Sequence, residues 1–394
     1  MKNLTLRYSW TQFTYWAASS ASFATTYLLN KGLSFGIVGT LLAAAGLLSC
    51  LTQPFLASMA DKAKRFVLTK MLLIMSALCC ICFSVQLIPQ FPLLLTGVFY
   101  MIGIWSSDAM HPLLNALSVA YQQAGFSINY GASRGIGSAA TAISSLVLGF
   151  VFAQFGATWM ILFLLGFRLV CMIVIAGYPK IQKETAVSQD RKGSCSIPYF
   201  FSSYRWYCVS LLGILFLGMY HAMTENYLIA IMTALGGNSS HVGTALFISA
   251  MVGAPVIFCF SQIRKRISDT RLLKIAAVSF LLKAVLFYFA KDITTIYFLQ
   301  LLQITSYAFL APTQVYYANA KVRSCDMVKG QAFITAAYAL GCSAGNFTGG
   351  QLLTFGVRAI LIAGIIMALV GTVIIFSTVN KSGETLAKGL ERTV

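Results

Sequence analysis

The chain has 394 residues, of which 58% are hydrophobic and 10% charged, against roughly 25% charged in ordinary soluble domains. That excludes a soluble globular fold, whose interior has no room for so many apolar side chains. A net charge of +18 would suit a nucleic-acid binder, but the basic residues lie in small clusters between apolar blocks and form no stripe.

The N-terminal segment Met1–Ser9 is polar, and the first apolar block is long enough to remain in a membrane, so no cleavable signal is expected. About 20 apolar residues span a bilayer core, and blocks of that order recur along the chain. The expected spans are 11–29, 35–58, 67–89, 92–119, 127–155, 158–178, 206–235, 241–263, 272–290, 293–318, 330–355 and 357–379. The fold class is therefore an all-α integral membrane protein with about twelve transmembrane helices. One long polar stretch, Pro179 to Tyr204, carries Lys180, Lys183, Glu184, Asp190, Arg191 and Lys192. It divides the chain into a six-helix bundle over 1–178, a cytoplasmic linker over 179–205 and a second six-helix bundle over 206–394.

Counting basic residues by side orients the chain. With the N-terminus inside, the inner segments hold Lys2, Arg7, Lys62, Lys64, Arg65 and Lys70 in the first half. They add Lys180, Lys183, Arg191, Lys192 and Arg205 around the linker, then Arg264, Lys265, Arg266, Arg271 and Lys274. Lys321, Arg323, Lys329, Lys381, Lys388 and Arg392 complete the set. The outer loops hold only Lys31, Lys291 and Arg358. The positive-inside rule then puts both termini in the cytoplasm of a cell membrane.

The halves echo one another. Pro112, Gly131 and Phe155-Gly156 are repeated by Pro312, Gly330 and Phe355-Gly356, each after about 200 residues. Parallel six-span repeats are how one large class of transporter is built, with the substrate site at the repeat interface near the midplane. Gly135, Gly137, Ala139 and Ala140 in the fifth span, and Gly341, Gly345, Gly349 and Gly350 in the eleventh, read first as close helix packing. The ten cysteines have no framework spacing. Cys79, Cys80 and Cys82 match C-x-x-C inside an apolar span and read as small buried hydrophobes.

Deep within the spans the charged residues are few: Asp108, Arg134, Arg168, Glu225 and Lys283. Each costs at least a few kcal/mol at membrane depth unless it meets a cavity or a partner, so each is a functional candidate. Asp108, His111 and Asn115 fall within about a 60° arc of the fourth span. His221 and Glu225, four apart, share a face of the seventh. Gln300, Gln303, Tyr307 and Gln314 form a polar stripe in the tenth. By helical rise Asp108, Arg168, His221 and Lys283 lie near the midplane, Arg134 and Asn115 towards the cytoplasm, and Glu225 nearer the outer face. Faces from the fourth, fifth, seventh, ninth and tenth spans converging on one cavity would suit a hydrophilic solute. The bland reading is that such residues only hold helices together, and it is favoured for Arg168.

Enzyme chemistry finds little support. Gly131-Ala132-Ser133-Arg134-Gly135 matches G-x-S-x-G, but a nucleophile elbow needs a strand-to-helix turn in an α/β sheet. There is no H-E-x-x-H, P-loop or Rossmann glycine pattern. No cofactor or metal is expected.

Short motifs carry a family resemblance. Ala57-Ser58-Met59-Ala60-Asp61-Lys62 with Arg65 resembles the loop between the second and third spans of the major facilitator superfamily, G-x-x-x-D-[RK]-x-x-[RK], with Ala57 in place of the usual Gly. Tyr130-Gly131-Ala132-Ser133-Arg134-Gly135-Ile136-Gly137 is similar to Y/F-G-x-x-R-x-x-G at the start of span five in the branch of lactose permease and the phenylpropionate permeases. Pro112-Leu113-Leu114-Asn115-Ala116 resembles the preceding P-x-x-[DE]-A, with Asn115 replacing the acid. The resemblance implies two six-helix pseudo-repeats, a gating loop at Asp61, Lys62 and Arg65, and a substrate-binding role for Arg134. Lys283 falls on a membrane arginine of lactose permease. Gln300, Gln303 and Ser306 stand where that permease keeps its Lys, His and Glu of proton coupling, and the eighth-span glutamate is missing. That relay cannot operate unchanged, which leaves Asp108, Glu225, His111 and His221 as proton-coupling candidates.

The leading function is secondary active transport of a small solute by alternating access, coupled to proton import. Substrate contacts are expected from Arg134, Asn115, Lys283, Gln300, Gln303 and Tyr307. Three deep basic charges against two acidic ones favour a polar or anionic solute such as an organic acid, sugar or nucleoside. The alternatives are proton-antiport efflux and a transport-dead sensor or scaffold on the same fold. The expected partners are the solute, protons and the lipid bilayer, with no nucleic acid, and the chain is expected to act as a monomer. The topology is testable: a Cys introduced at Ser188 should react only with a membrane-permeant thiol reagent, and ready labelling from outside intact cells would reverse the orientation.

Overall fold

Hydrocarbon offers no hydrogen bonds, so spans that satisfy their own backbone must be helices or closed barrels, and this chain uses helices. The computed structural model describes residues 4–19, 21–62, 67–179, 197–323 and 326–381. Most of the expected linker, 180–196, therefore lies outside the described residues. Among these the structure is helical, without strands. The first half contains α1 (Leu4–Ala17), α2 (Ala21–Asn30), α3 (Phe35–Lys62), α4 (Leu68–Val85), α5 (Leu93–Gln123), α6 (Tyr130–Phe155) and α7 (Ala157–Ala176). After the linker come α8 (Ile197–Ser203), α9 (Arg205–Glu225), α10 (Leu228–Ala234), α11 (Ser239–Phe258), α12 (Phe260–Arg266) and α13 (Asp269–Phe289). They are followed by α14 (Ile293–Leu299), α15 (Tyr307–Lys321), α16 (Met327–Leu352) and α17 (Val357–Thr378).

Ten of the described helical segments are long and apolar enough to cross a membrane. The split first span and the glycine-rich α16 complete the twelve-span pattern. Large apolar side chains such as Leu51, Ile74, Phe150, Ile173, Phe258 and Phe289 are exposed on helix surfaces, as lipid-facing residues must be.

The spans are less continuous than their hydropathy suggests. The first helix starts at Leu4, well before the expected 11, and gives way to α2 after Ala17. Beside this break Ser19 leaves the helix, its N–H bonded back three residues to Trp16 O at 3.1 Å. The seventh span breaks between α9 and α10, at Asn226 and Tyr227. The eighth breaks at Cys259, four residues after Pro255, whose missing N–H and ring disturb the preceding turn. The tenth narrows to a 3₁₀ turn over Gln300–Ile304 between α14 and α15.

These breaks extend the repeat beyond the motifs that revealed it. Spans one and seven are both split, Pro54 and Pro255 both lie inside the following span, and Pro112 and Pro312 both lie inside a later one. Gly156 (φ 85°) and Gly356 (φ 99°) each make the sharp exit from a long small-residue helix into the last span of a half, a left-handed conformation that a Cβ would strain.

Contacts divide the chain into two compact units, one within Met1–Val187 together with Asn226–Met251, the other within Ser188–Glu225 and Val252–Val394. In the first, α1 packs on α6 and α7, and α4 on α5 and α7, with α3 along α5. Its core gathers Tyr8, Tyr15, Leu72, Met110, Leu114, Leu117, Tyr121 and Ile175. One end of this unit is tied together: Arg7 donates to Gly177 O, Tyr121 to Pro179 O, and Thr11 shares a hydrogen bond of 3.0 Å with Tyr178. In the second, α9 lies between α16 and α17, with α13 against α17 and α15. Its core includes Tyr207, Ile214, Leu217, Leu273, Phe280, Leu310, Tyr317 and Ile375.

The small residues of the eleventh span make the α9–α16 contact. Gly341 and Gly345 sit directly against the carbonyl groups of Leu215 and Met219, and a Cβ at Gly218 would lie 2.7 Å from Tyr338 O. Such backbone approach maximises van der Waals packing where lipid removes any hydrophobic drive between helices. Gly341→Ala is expected to lower stability by about 2 kcal/mol through overpacking. Gly166→Ala, with nothing within 4 Å of its new methyl, should be neutral or slightly stabilising. Thermal unfolding in detergent compares them, and equal midpoints would remove the packing role.

Candidate functional site

In the first unit the site is built on α1, α5, α6 and α7. Asn129 caps α6, its side chain accepting from Ala132 N at 3.0 Å, and so sets where Arg134 leaves the first turn. The Arg134 guanidinium carbon lies 4.3 Å from the centre of the Trp16 ring, a cation–π distance. One turn on, Gly137 leaves room for that indole: a Cβ there would stand 2.5 Å from Trp16 Cδ1. A directional chain fixes the ring, with Trp16 Nε1 donating to Gln12 Oε1 (2.9 Å), Gln12 Nε2 to Tyr8 OH (2.8 Å) and Tyr8 OH to Leu114 O (3.2 Å). The side-chain hydrogen bond of Arg134 goes to Ser138 Oγ at 3.0 Å. Among the described residues it pairs with no carboxylate.

His111 joins the same surface, its ring edge-on to Trp16 at 5.4 Å and parallel to Tyr15 at 6.4 Å. Asn115 accepts a hydrogen bond from Tyr130 OH at 3.1 Å, and Tyr130 stands 6.3 Å from Tyr8. Asp108 is half-buried and makes no ion pair or hydrogen bond among the described residues. Arg168 is 0% exposed and is held by neutral groups: Ser107 Oγ at 2.6 Å, Met110 Sδ at 3.3 Å and the Tyr15 ring at 5.2 Å. It ties α7 to α5 and α1.

The second unit has its own polar cluster. Lys283 on α13 is 2% exposed. Its ammonium donates to Glu225 Oε1 (3.2 Å), Gln300 Oε1 (2.9 Å) and Gln303 Oε1 (3.2 Å). The 3₁₀ turn brings the two amides there together, because side chains at i and i+3 eclipse in that geometry. His221 stacks on Tyr307 with centroids 4.9 Å apart and planes 5° apart, and meets the Phe280 edge at 5.9 Å and Tyr338 at 6.3 Å.

The structure thus gathers Arg134 and His111 around Trp16, and Lys283, Glu225, Gln300 and Gln303 around one ammonium, with His221 beside Tyr307. Asn115 meets Tyr130 rather than Arg134. Of the loop residues, Asp61 and Lys62 end α3 with side chains outside the described residues, and Arg65 lies outside them altogether. In the second half, Arg264 forms a two-point pair with Asp269 at 2.7 and 3.1 Å and lies 4.1 Å over the Tyr316 ring. Composition does not reveal the α1 contribution, but spacing does once the helix starts at Leu4. Tyr8, Gln12, Tyr15 and Trp16 stand at i, i+4, i+7 and i+8, one helical face.

Comparison with known proteins agrees with this architecture. Residues 5–363 match the MFS_1 like family. The chain belongs to that family. It is a multi-pass membrane protein of a transporter family, not an enzyme. A point mutant of the nucleoside transporter NupG superposes with a TM-score of 0.80 at 15% identity, covering 95% of this chain and 99% of that one. A D-xylose–proton symporter gives 0.69 at 15% identity over 93% and 96%. A POT family transporter in complex with a thioalcohol-conjugated peptide gives 0.69 at 13% over 97% and 96%. No curated protein matches by sequence.

The Arg134 arrangement makes a specific demand. A planar fork held over an indole can grip a carboxylate or paired hydroxyls at two points, which a lysine ammonium cannot reproduce. Arg134→Lys should lose at least tenfold in solute affinity, read as the ligand-induced thermal shift, while its ligand-free unfolding midpoint stays near that of the parent. Unchanged affinity would remove Arg134 from the site.

Proposed function

We propose that this member of the MFS_1 like family is a proton-coupled symporter, working by alternating access on a small anionic or polar organic solute: an organic acid, sugar or nucleoside. One observation carries the reading. Arg134 lies in a membrane span, half-buried, stacked on Trp16 and without a carboxylate partner among the described residues. A guanidinium is costly at that depth, and a solute anion or hydroxyl pair would complete its hydrogen bonds. The Tyr130–Gly137 motif supports a place near the lactose permease and phenylpropionate permease branch. A nucleoside transporter and a D-xylose–proton symporter among the similar folds support the solute classes and the coupling. The basic-residue asymmetry supports a cell-membrane location with both termini cytoplasmic, and we take the working unit to be the monomer.

Coupling needs a group whose protonation changes between states. Glu225 has the Lys283 ammonium at 3.2 Å, so protonating it would strand a buried positive charge. Asp108 feels the Arg168 guanidinium only at longer range, with no contact at salt-bridge distance among the described residues, and is the group we assign to the proton. His111, held between Trp16 and Tyr15, is its neighbour one turn on. Asn115, Lys283, Gln300, Gln303 and Tyr307 remain the further candidate ligands in this reading.

The experiment begins with thermal-shift screening of purified protein against nucleosides, sugars and small carboxylates, since a solute that binds the folded state raises its apparent stability. Uptake of the hit into proteoliposomes under an inward proton gradient follows. The parent should accumulate solute uphill, whereas Asp108→Asn should exchange solute across the membrane without accumulating it. Binding without flux would favour the sensor alternative, and proton-driven efflux the antiporter. Full accumulation by a stable Asp108→Asn protein would pass the role to Glu225.

A further inference from the structure

The cluster around Lys283, whose members are also candidates for solute and proton binding, is closed on its own ammonium. A buried ammonium carries three N–H donors, and all three meet oxygens, at 2.9, 3.2 and 3.2 Å. One is a carboxylate oxygen from the end of α9. The other two are amide oxygens from eclipsed positions of the 3₁₀ turn, which breaks the tenth span at the place where they are needed. Gln300 is 1% exposed, and its own Nε2 has no hydrogen-bond partner. An unsatisfied buried amide N–H costs roughly 1–3 kcal/mol, so the demand for its oxygen at the ammonium outweighs the loss of its donor. Gln303 Oε1 is in turn approached by Ser306 Oγ at 3.5 Å.

One negative charge and two carbonyl dipoles converge on one cation beside a broken membrane helix, the oxygen chemistry by which interrupted membrane helices hold monovalent cations. We propose that Glu225, Gln300 and Gln303 constitute a monovalent-cation site and that Lys283 is the tethered cation that fills it. In the intact protein the ammonium keeps Glu225 compensated and the 3₁₀ turn in place without any free alkali ion. Removal of the ammonium should open the site to a dissolved cation. Oxygens spaced for an ammonium suit potassium or ammonium ions better than the smaller sodium ion.

The test uses full-length protein in detergent, unfolded thermally in sodium, potassium, ammonium or choline chloride at equal concentration. Choline is too large to enter. Lys283→Ala is expected to show a saturable rise in midpoint of about 3 °C or more in potassium or ammonium over choline. The parent should show no such difference, and Lys283→Ala/Glu225→Gln should lose it. Lys283→Ser, whose hydroxyl adds a further oxygen, is measured alongside in case the alanine variant does not fold. The proposal is overturned if the single variants respond to potassium and choline alike, or if Glu225→Gln leaves the response intact. Loss of both single variants in every salt would overturn it too, because a vacated cation site is recoverable by a free cation.

Discussion

Inside a bilayer each polar group must find its partner within the protein, because hydrocarbon supplies none. Most features of this structure follow from that constraint. The spans are helices because helices satisfy their own backbone. Where the tenth span is interrupted, its 3₁₀ turn eclipses Gln300 and Gln303 and brings both amide oxygens to Lys283. The same constraint explains Arg168, which makes no contact with solvent. Its terminal nitrogens meet a hydroxyl and a thioether, its guanidinium faces an aromatic ring, and no carboxylate among the described residues lies at salt-bridge distance.

The two halves share a plan and use it differently. Both split their first span, place a proline in the second and leave a long small-residue helix through a glycine of positive φ. In the first half Arg134 and Asp108 form no salt bridge among the described residues, although the Arg168 guanidinium acts on Asp108 from a longer distance. In the second, Lys283 and Glu225 neutralise each other at 3.2 Å. Burying an ion pair is costly, but breaking one is costlier, since it leaves an uncompensated charge.

Backbone packing supplies what the hydrophobic effect cannot supply in lipid. Gly218, Gly341 and Gly345 let α9 and α16 approach until carbonyl groups touch Cα atoms. Gly137 applies the same device to a side chain, making the space in which Trp16 lies over Arg134. A small residue in this chain is therefore as much a part of the site as the residues that carry charge.

Much of this was legible in the amino-acid order. Hydropathy alone determines a multi-span helical membrane protein, because only long apolar blocks cross hydrocarbon. The spacing of Pro112, Gly156, Pro312 and Gly356 already exposes the repeat, and the Tyr130–Gly137 motif points to the family. The scarcity of charges inside the spans singles out Arg134, Asp108, Glu225 and Lys283. What only the tertiary structure decided is which of these meet. Helical phase places Asp108, His111 and Asn115 on one face, yet cannot tell that His111 goes to Trp16, Asn115 to Tyr130 and Asp108 to neither. It cannot tell that Lys283 selects Glu225 across helices. Nor does hydropathy register a break of one turn, since a 3₁₀ segment has the same composition as the α-helix it interrupts. Pairing depends on the rotation and separation of neighbouring helices, which are set by side-chain volume at contacts distant in sequence. A linear pattern carries no record of them.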